Sequence, residues 1–386
     1  MSNFKNRLKI IKDENRYRER ISLYSAQDTI VRVEGKSVTN FASNNYLSLA
    51  NNKSLKGSFK NFIEKYGIGS GSSPLISGYN KEYKKLELYI SKLLGFESTL
   101  ITNSGYLANV GLLNAISERE TTVFQDRLNH NSIIESSRLS RTNLIRYKHL
   151  DYEDLLSKIT KSKSATKIIY TDSVFSMTGE KADIVALSNI AKKTKSLLFV
   201  DDAHGFGVLR LNKKRFPSCV SNINLKKIKI DAYIATFGKA IGTHGAFISG
   251  SKDIIELLIQ KSKPYIYSTA LPPAIIATTL ESIKMIKRDL SLITNLTNNI
   301  RYFQEYSFKK KLKVNVSDTA IQTLKIGNPK SVINICKKAM KQGIFIQGIR
   351  YPTVPKDNDL IRINLCSGHT KKQIQSLIEF LIKIQE

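Results

Sequence analysis

The stretch Ser196-Leu197-Leu198-Phe199-Val200 is apolar after its first residue and runs without a break into Asp201-Asp202-Ala203-His204-Gly205. A strand with no polar alternation has to be covered on both faces, as in a parallel sheet flanked by helices. Thr99–Thr102, Val123–Asp126, Lys167–Thr171 and Ala232–Ala235 read as further strands, each followed by polar residues. Helical spacing fills the intervals, as in Ile184, Leu187, Ile190 and Ala191. This alternation predicts an α/β fold with a mostly parallel central sheet whose carboxyl edge carries the functional groups.

With 386 residues the chain has room for such a domain and a smaller lobe. A hydrophobic share of 41% and a charged share of 24% are ordinary for a globular enzyme. The 61 Lys and Arg against 32 Asp and Glu, a formal charge of +29, raise the question of nucleic acid. The charge is scattered in short groups, such as Lys213-Lys214-Arg215, Lys226-Lys227 and Lys309-Lys310-Lys311, and no nucleic-acid-binding motif accompanies it. Specific nucleic-acid binding is therefore not expected; the charge suits capture of an anionic substrate carrier. Cys219, Cys336 and Cys366 form neither a disulfide framework nor a metal pattern and fit a reducing compartment. The N-terminus lacks the apolar core of a secretion signal and no apolar run approaches membrane length, so a cytoplasmic protein without metal or membrane is expected.

In chain order, residues 4–24 read as a charged helix, and Ile30–Val33 and Ser37–Phe41 as strands around Glu34-Gly35-Lys36. Residues 67–78 are too rich in Gly and Ser for a regular element; flanking helices make them an ordered loop near a site. Leu86, Ile90, Leu93 and Leu94 mark a helix that Gly95 stops. The turn Asn103-Ser104-Gly105-Tyr106 joins a strand to a helix, whose first N–H groups make a ready phosphate site. Ile283, Ile286, Leu290, Ile293, Leu296, Ile300 and Phe303 predict one long amphipathic helix leading into a small α/β lobe. The expected partition is an N-terminal helix and arm over 1–45, a large domain over 46–280 and a small domain over 281–386.

Thr236-Phe237-Gly238-Lys239-Ala240-Ile241-Gly242 follows the strand Ala232–Ala235, and its small residues allow a tight turn that aims Lys239 into a cleft. Such a lysine can form an imine, and a carboxylate of the Asp201-Asp202 pair can hold a proton on a ring nitrogen. With a flat group and a phosphate cradle, this is what pyridoxal phosphate requires of a protein. Taken singly, Lys239, His130 and Arg362 would be ordinary surface or structural residues. Together they carry weight.

In this company the chain resembles the α-oxoamine synthases, pyridoxal-phosphate enzymes of the fold-type I aminotransferase class, from Asn44-Asn45-Tyr46-Leu47 to Arg362. The likeness rests on Val200-Asp201-Asp202-Ala203-His204-Gly205-Phe206-Gly207-Val208 and Thr236-Phe237-Gly238-Lys239 occurring in that order. It implies that Lys239 carries pyridoxal 5'-phosphate and then acts as the base, that Asp201 pairs with the pyridine nitrogen, and that His204 bonds the ring hydroxyl. Ser176 would support the ring edge, and His130 would stack on the ring beside the substrate. Gly105, Tyr106 and Thr236 would hold the phosphate, joined by Ser268 and Thr269 of the neighbouring subunit, which implies a homodimer with its site at the subunit interface. Arg362 would bind the amino-acid carboxylate, with Asn44 in the substrate set and Thr353 and Arg18 on the acyl side.

The branch favoured condenses L-alanine with a pimeloyl thioester, carried on coenzyme A or acyl carrier protein. Glycine-using branches, and a degenerate basic binding protein on the same scaffold, are the alternatives. Asp172 in place of a glutamate, Thr178 and Glu180 in place of an Asp pair, and Tyr83 in place of a histidine depart from the family pattern and bear on the acyl pocket.

Overall fold

The computed structural model describes every residue except Met1, Leu211, Lys213, Lys214, Lys226 and Glu386, so Lys213, Lys214 and Lys226 of the basic groups lie outside the described residues. The chain opens with helix α1 (Ser2–Asp13) and the antiparallel strands β1 (Ile30–Val33) and β2 (Lys36–Asn40). Helix α1 ends well before residue 24. Asn15 takes a left-handed φ of 54°, and the Arg16 N–H donates to Ile11 O at 2.9 Å, a closing turn that Asn tolerates better than most residues.

Helix α2 (Lys53–Tyr66) is followed by a five-residue π-helical turn, Pro74–Gly78, where an irregular loop was expected. The loop is pinned: the Ala270 N–H donates to Ser72 O at 2.9 Å. Helix α3 (Lys81–Leu94) stops at Gly95, whose φ of 87° suits a residue without Cβ. Then come β3 (Ser98–Thr102), α4 (Gly105–Ile116), β4 (Thr121–Asp126), α5 (Asn131–Leu139), β5 (Asn143–Tyr147), α6 (Tyr152–Lys161) and β6 (Thr166–Asp172). Helix α7 (Ile184–Lys193), β7 (Leu197–Asp201), β8 (Ala232–Thr236), β9 (Ala246–Gly250), α8 (Lys252–Lys261), α9 (Lys263–Ile266) and α10 (Pro273–Arg288) follow.

The predicted long helix is in fact two, α10 and then α11 (Ser291–Lys309), parted at Asp289-Leu290. Asp and Ser side chains compete for backbone hydrogen bonds and favour helix ends, so Asp289 and Ser291 interrupt a periodicity that the apolar residues alone would continue. The chain finishes with β10 (Ile321–Lys325), α12 (Pro329–Lys341), β11 (Ile344–Phe345), β12 (Gln347–Ile349), β13 (Leu360–Asn364) and α13 (Lys371–Gln385).

Two compact units result. One comprises residues 52–176 and 180–290; the other, 1–51, 177–179 and 291–386. The N-terminal arm is part of the second unit because β2 pairs in parallel with β11, through Ile344↔Thr39 and Phe345↔Asn40.

In the larger unit a seven-stranded sheet runs in the order β3-β9-β8-β7-β6-β4-β5. Strands β4 to β8 are parallel, and β9 is antiparallel to both its neighbours. Reversal at β9 lets a tight turn follow β8 where a helical crossover would otherwise be needed. That turn carries Lys239. Helix α4 packs on the sheet with Ala108, Leu112 and Leu113 fully buried against Val123, Ile168 and Ile234. Burial of each leucine contributes roughly 1.5–3 kcal/mol. In the smaller unit β13 lies between β10 and β12, antiparallel to both.

Candidate active site

The carboxyl ends of β4, β6, β7 and β8 and the turn after β3 fall on one edge of the central sheet, where chain order reverses between β4 and β6. Such a switch point leaves a crevice for a ligand. Lys239 is half-buried there, its Nζ 2.8 Å from His204 Nε2. Thr236 closes the same turn: its hydroxyl donates to Gly245 O at 2.9 Å and accepts from the Gly238 N–H at 3.3 Å. A Cβ placed on Gly105, the first residue of α4, would lie 3.8 Å from Thr236 Cβ, so the lysine turn and the helix N-terminus adjoin. Asn103 Nδ2 donates to Thr269 O at 2.8 Å, which brings the Ser268-Thr269 segment to the same turn. Tyr106 is exposed and Ser176 buried.

Asp201 ends β7 and is buried. Its Oδ1 accepts from the Ala203 N–H at 3.0 Å and its Oδ2 from Asn109 Nδ2 at 2.8 Å. Asn109 also donates to Ser132 Oγ at 2.7 Å and accepts from the Tyr170 hydroxyl at 2.6 Å. Ser132 Oγ in turn lies 2.7 Å from Nδ1 of His130, the N-cap of α5. Neither Asn109 nor Tyr170 was foreseen. The available signal was an amide, one of two with Asn114, among the apolar residues of the predicted helix.

Asp172, opposite Asp201 in the β6–β7 register, accepts from the His130 N–H at 2.6 Å. Burial, then the neighbouring Asp201 charge, push its carboxyl well above the ordinary range, while Lys239 pulls the other way. Asp202 points to the opposite face of the strand. There it accepts from Tyr233 OH at 2.6 Å, the Cys219 N–H at 2.9 Å and the Ser173 hydroxyl, and burial holds it up at about 6. Of the two adjacent aspartates, Asp201 is linked through Asn109 and Ser132 to His130, and Asp202 is taken up by its packing partners. Tyr83, where the family pattern has histidine, donates to Leu271 O at 3.1 Å.

In the smaller unit Arg362 is buried at the centre of its sheet, with 6% of its surface exposed. Nη1 donates to Asn44 Oδ1 at 3.1 Å, Nη2 to Tyr46 OH at 3.4 Å, and Nε has no partner. A buried guanidinium bonded to neutral oxygens, with Nε open, has donors of the kind a carboxylate would take. Burial raises the Tyr46 pKa against the opposing Arg362 charge, so the hydroxyl stays neutral. Arg18 Nη2 meets Thr353 Oγ1 at 3.4 Å on the surface of the same unit. Thus Arg362 and Asn44 come together, as do Arg18 and Thr353. Among the described residues no cluster of His, Cys, Asp and Glu is arranged for a metal ion, and no helix is long and apolar enough to cross a membrane.

His149, also unforeseen, bridges two carboxylates, Asp126 at 2.8 Å from Nδ1 and Glu180 at 3.0 Å from Nε2, with its ring edge-on to Phe175. Burial lowers its pKa, but the two carboxylates outweigh burial and the net shift is upward from 6.5. A raised folded-state pKa contributes stability that is complete below the unfolded value and is lost as pH rises through the folded one. The urea midpoint is therefore expected to fall as pH climbs above the ordinary histidine range, and His149→Gln to flatten that slope. Equal slopes in the two proteins would disprove the assignment.

The donor set fits pyridoxal phosphate: an amine held at a sheet edge, a buried acceptor-only carboxylate on the adjacent strand, and a helix N-terminus beside the lysine turn. A family model for aminotransferases of class I and II matches residues 36–381, and the chain is a pyridoxal-phosphate-dependent enzyme of that family. More narrowly, it belongs to the 8-amino-7-oxononanoate synthases, which are acyltransferases. The 8-amino-7-oxononanoate synthase of Nitrosococcus oceani is 34% identical over 368 residues, covering 95% of this chain and 97% of the relative. The crystal structure of the Francisella tularensis 8-amino-7-oxononanoate synthase is 29% identical, covers 90% of this chain and 97% of its own, and superposes with a TM-score of 0.77. The serine palmitoyltransferase of Sphingomonas wittichii has the same fold: 21% identity, 99% of this chain, 96% of that one, TM-score 0.91.

Proposed function

We propose that the protein condenses L-alanine with a pimeloyl thioester, on coenzyme A or acyl carrier protein, releasing the thiol and carbon dioxide and yielding 8-amino-7-oxononanoate for biotin synthesis. The observation that carries this reading is the pairing of Lys239 with His204 at the sheet edge that also holds Asp201. When bound, pyridoxal phosphate supplies an electron sink for the bonds broken at the alanine Cα.

Lys239 would hold the cofactor, and its amine is the group placed to take the alanine Cα proton. Asp201 keeps a proton on the ring nitrogen, since a carboxylate bonded by Asn109 and the Ala203 N–H can only accept. His204 binds the ring hydroxyl and Ser176 the ring edge. His130 would help hold the ring and would donate to the thioester oxygen as it gains charge. The Gly105 and Tyr106 N–H groups and the Thr236 hydroxyl, turned from Gly245, hold the phosphate. In a homodimer, Ser268 and Thr269 of each subunit complete the phosphate site of its neighbour. Arg362 and Asn44 hold the alanine carboxylate; Arg18 and Thr353 serve the acyl chain. The protein works in the cytoplasm.

Arg362→Lys tests the carboxylate assignment, because a point charge cannot reproduce a planar fork. Truncating a buried charge-assisted pair costs about 2–5 kcal/mol. The KM for L-alanine is expected to rise about 30-fold or more, with the KM for the thioester within ~2-fold. A rise confined to the thioester would move Arg362 to the acyl side.

A further inference from the structure

Asn109 sits fully buried inside α4, yet its amide touches the branches of the site that hold Asp201 and His130. We propose that Asn109, acting through Ser132, is a positioning residue that fixes His130 as the neutral tautomer with its proton on Nε2.

An ionised carboxylate only accepts, so the amide atom facing Asp201 Oδ2 at 2.8 Å is the NH2 group. Asn109 Oδ1 then faces Tyr170, whose hydroxyl donates to it at 2.6 Å. The second amide hydrogen enters a lone pair of Ser132 Oγ at 2.7 Å, and His130 Nδ1, also at 2.7 Å, is the acceptor this buried hydroxyl meets for its own hydrogen. The Ser132 N–H points at the same nitrogen at 3.3 Å. Two donors converge on Nδ1, so it carries no proton in the neutral ring and Nε2 does. The catalytic meaning of this tautomer rests on the function proposed above, where His130 must donate; the tautomer stands on the hydrogen bonds alone.

The full-length protein, labelled with 15N in its histidine rings, gives the answer by two-bond 15N–1H correlation before and after loading with pyridoxal phosphate. His130→Gln assigns the signal. Wild type is expected to show His130 with Nε2 protonated and Nδ1 not. Ser132→Ala retains the 3.3 Å backbone contact and keeps Asp201 bonded to Asn109. It is expected to give a mixture of tautomers. Loss of one such hydrogen bond should lower kcat roughly 3- to 10-fold, with the KM for L-alanine within ~2-fold. Asn109→Ser should behave alike, and Ser132→Thr, which keeps the hydroxyl, should restore the single tautomer.

A protonated Nδ1 in the wild-type protein, or an unchanged tautomer in both variants, overturns the proposal, and the wild-type spectrum decides even if a variant fails to fold. A shifted tautomer with unchanged kcat overturns its catalytic half. The expected tautomer in a protein inactive toward alanine and pimeloyl thioester would sink the proposed reaction and leave the relay standing.

Discussion

Lys239→Ala is expected to fold normally and to lower kcat/KM by at least ~10³-fold, because one side chain serves as both anchor and base, and a positioned base alone contributes about 10²–10⁴-fold. The lysine is half-buried in a turn that backbone and Thr236 bonds already hold, so its truncation leaves the β8–β9 connection intact. After borohydride reduction the wild-type protein should yield a cofactor-bearing peptide containing Lys239. The variant should yield none. A variant retaining a tenth of the activity, or a labelled peptide elsewhere in the chain, would remove Lys239 from the chemistry.

Asp201→Asn should lower kcat by ~10²–10⁴-fold while moving the KM for L-alanine little, since the lost interaction acts on charge that develops during reaction. Stability should fall as well. Both carboxylate oxygens accept N–H groups, from Ala203 and Asn109, and a carboxamide can answer one of them only by turning its own NH2 toward the other. That clash costs about 1–3 kcal/mol. Asp202→Asn is the contrasting variant: its bonds to Ser173, Tyr233 and the Cys219 N–H are structural, so stability should fall with kcat largely kept. Equal losses of kcat in the two variants would refute the division of labour between these neighbours.

That division was only half legible in the sequence. Strand alternation requires Asp201 and Asp202 to face opposite ways, but which one meets the site depends on partners far along the chain. Asn109 lies 92 positions from Asp201 and 61 from Tyr170. The buried strands read clearly because β7 and β8 are nearly all apolar. The edge strand β5, Asn143–Tyr147, escaped notice because its residues are mostly exposed or half-buried and its pattern is mixed. Strand β9 escaped for another reason: Ala246-Phe247-Ile248-Ser249-Gly250 is short, and nothing local reveals that it runs antiparallel. Lys239 was legible because small residues follow a buried strand at that point. Arg362 was legible as an arginine between two isoleucines, although the Asn44 that meets it is 318 positions away. The helix break at Asp289-Leu290 is hidden in the sequence because apolar spacing continues through it, and the helix-ending chemistry of Asp289 and Ser291 outweighs that spacing.

The most direct measurement is mass-spectrometric identification of the product formed by the cofactor-loaded protein from L-alanine and pimeloyl thioester, set against glycine with acetyl or succinyl thioester. The account predicts 8-amino-7-oxononanoate, with thiol released in step, from the alanine reaction alone. An amino-ketone formed only from glycine would contradict the substrate assignment, and no product from any pair would contradict the proposed reaction itself.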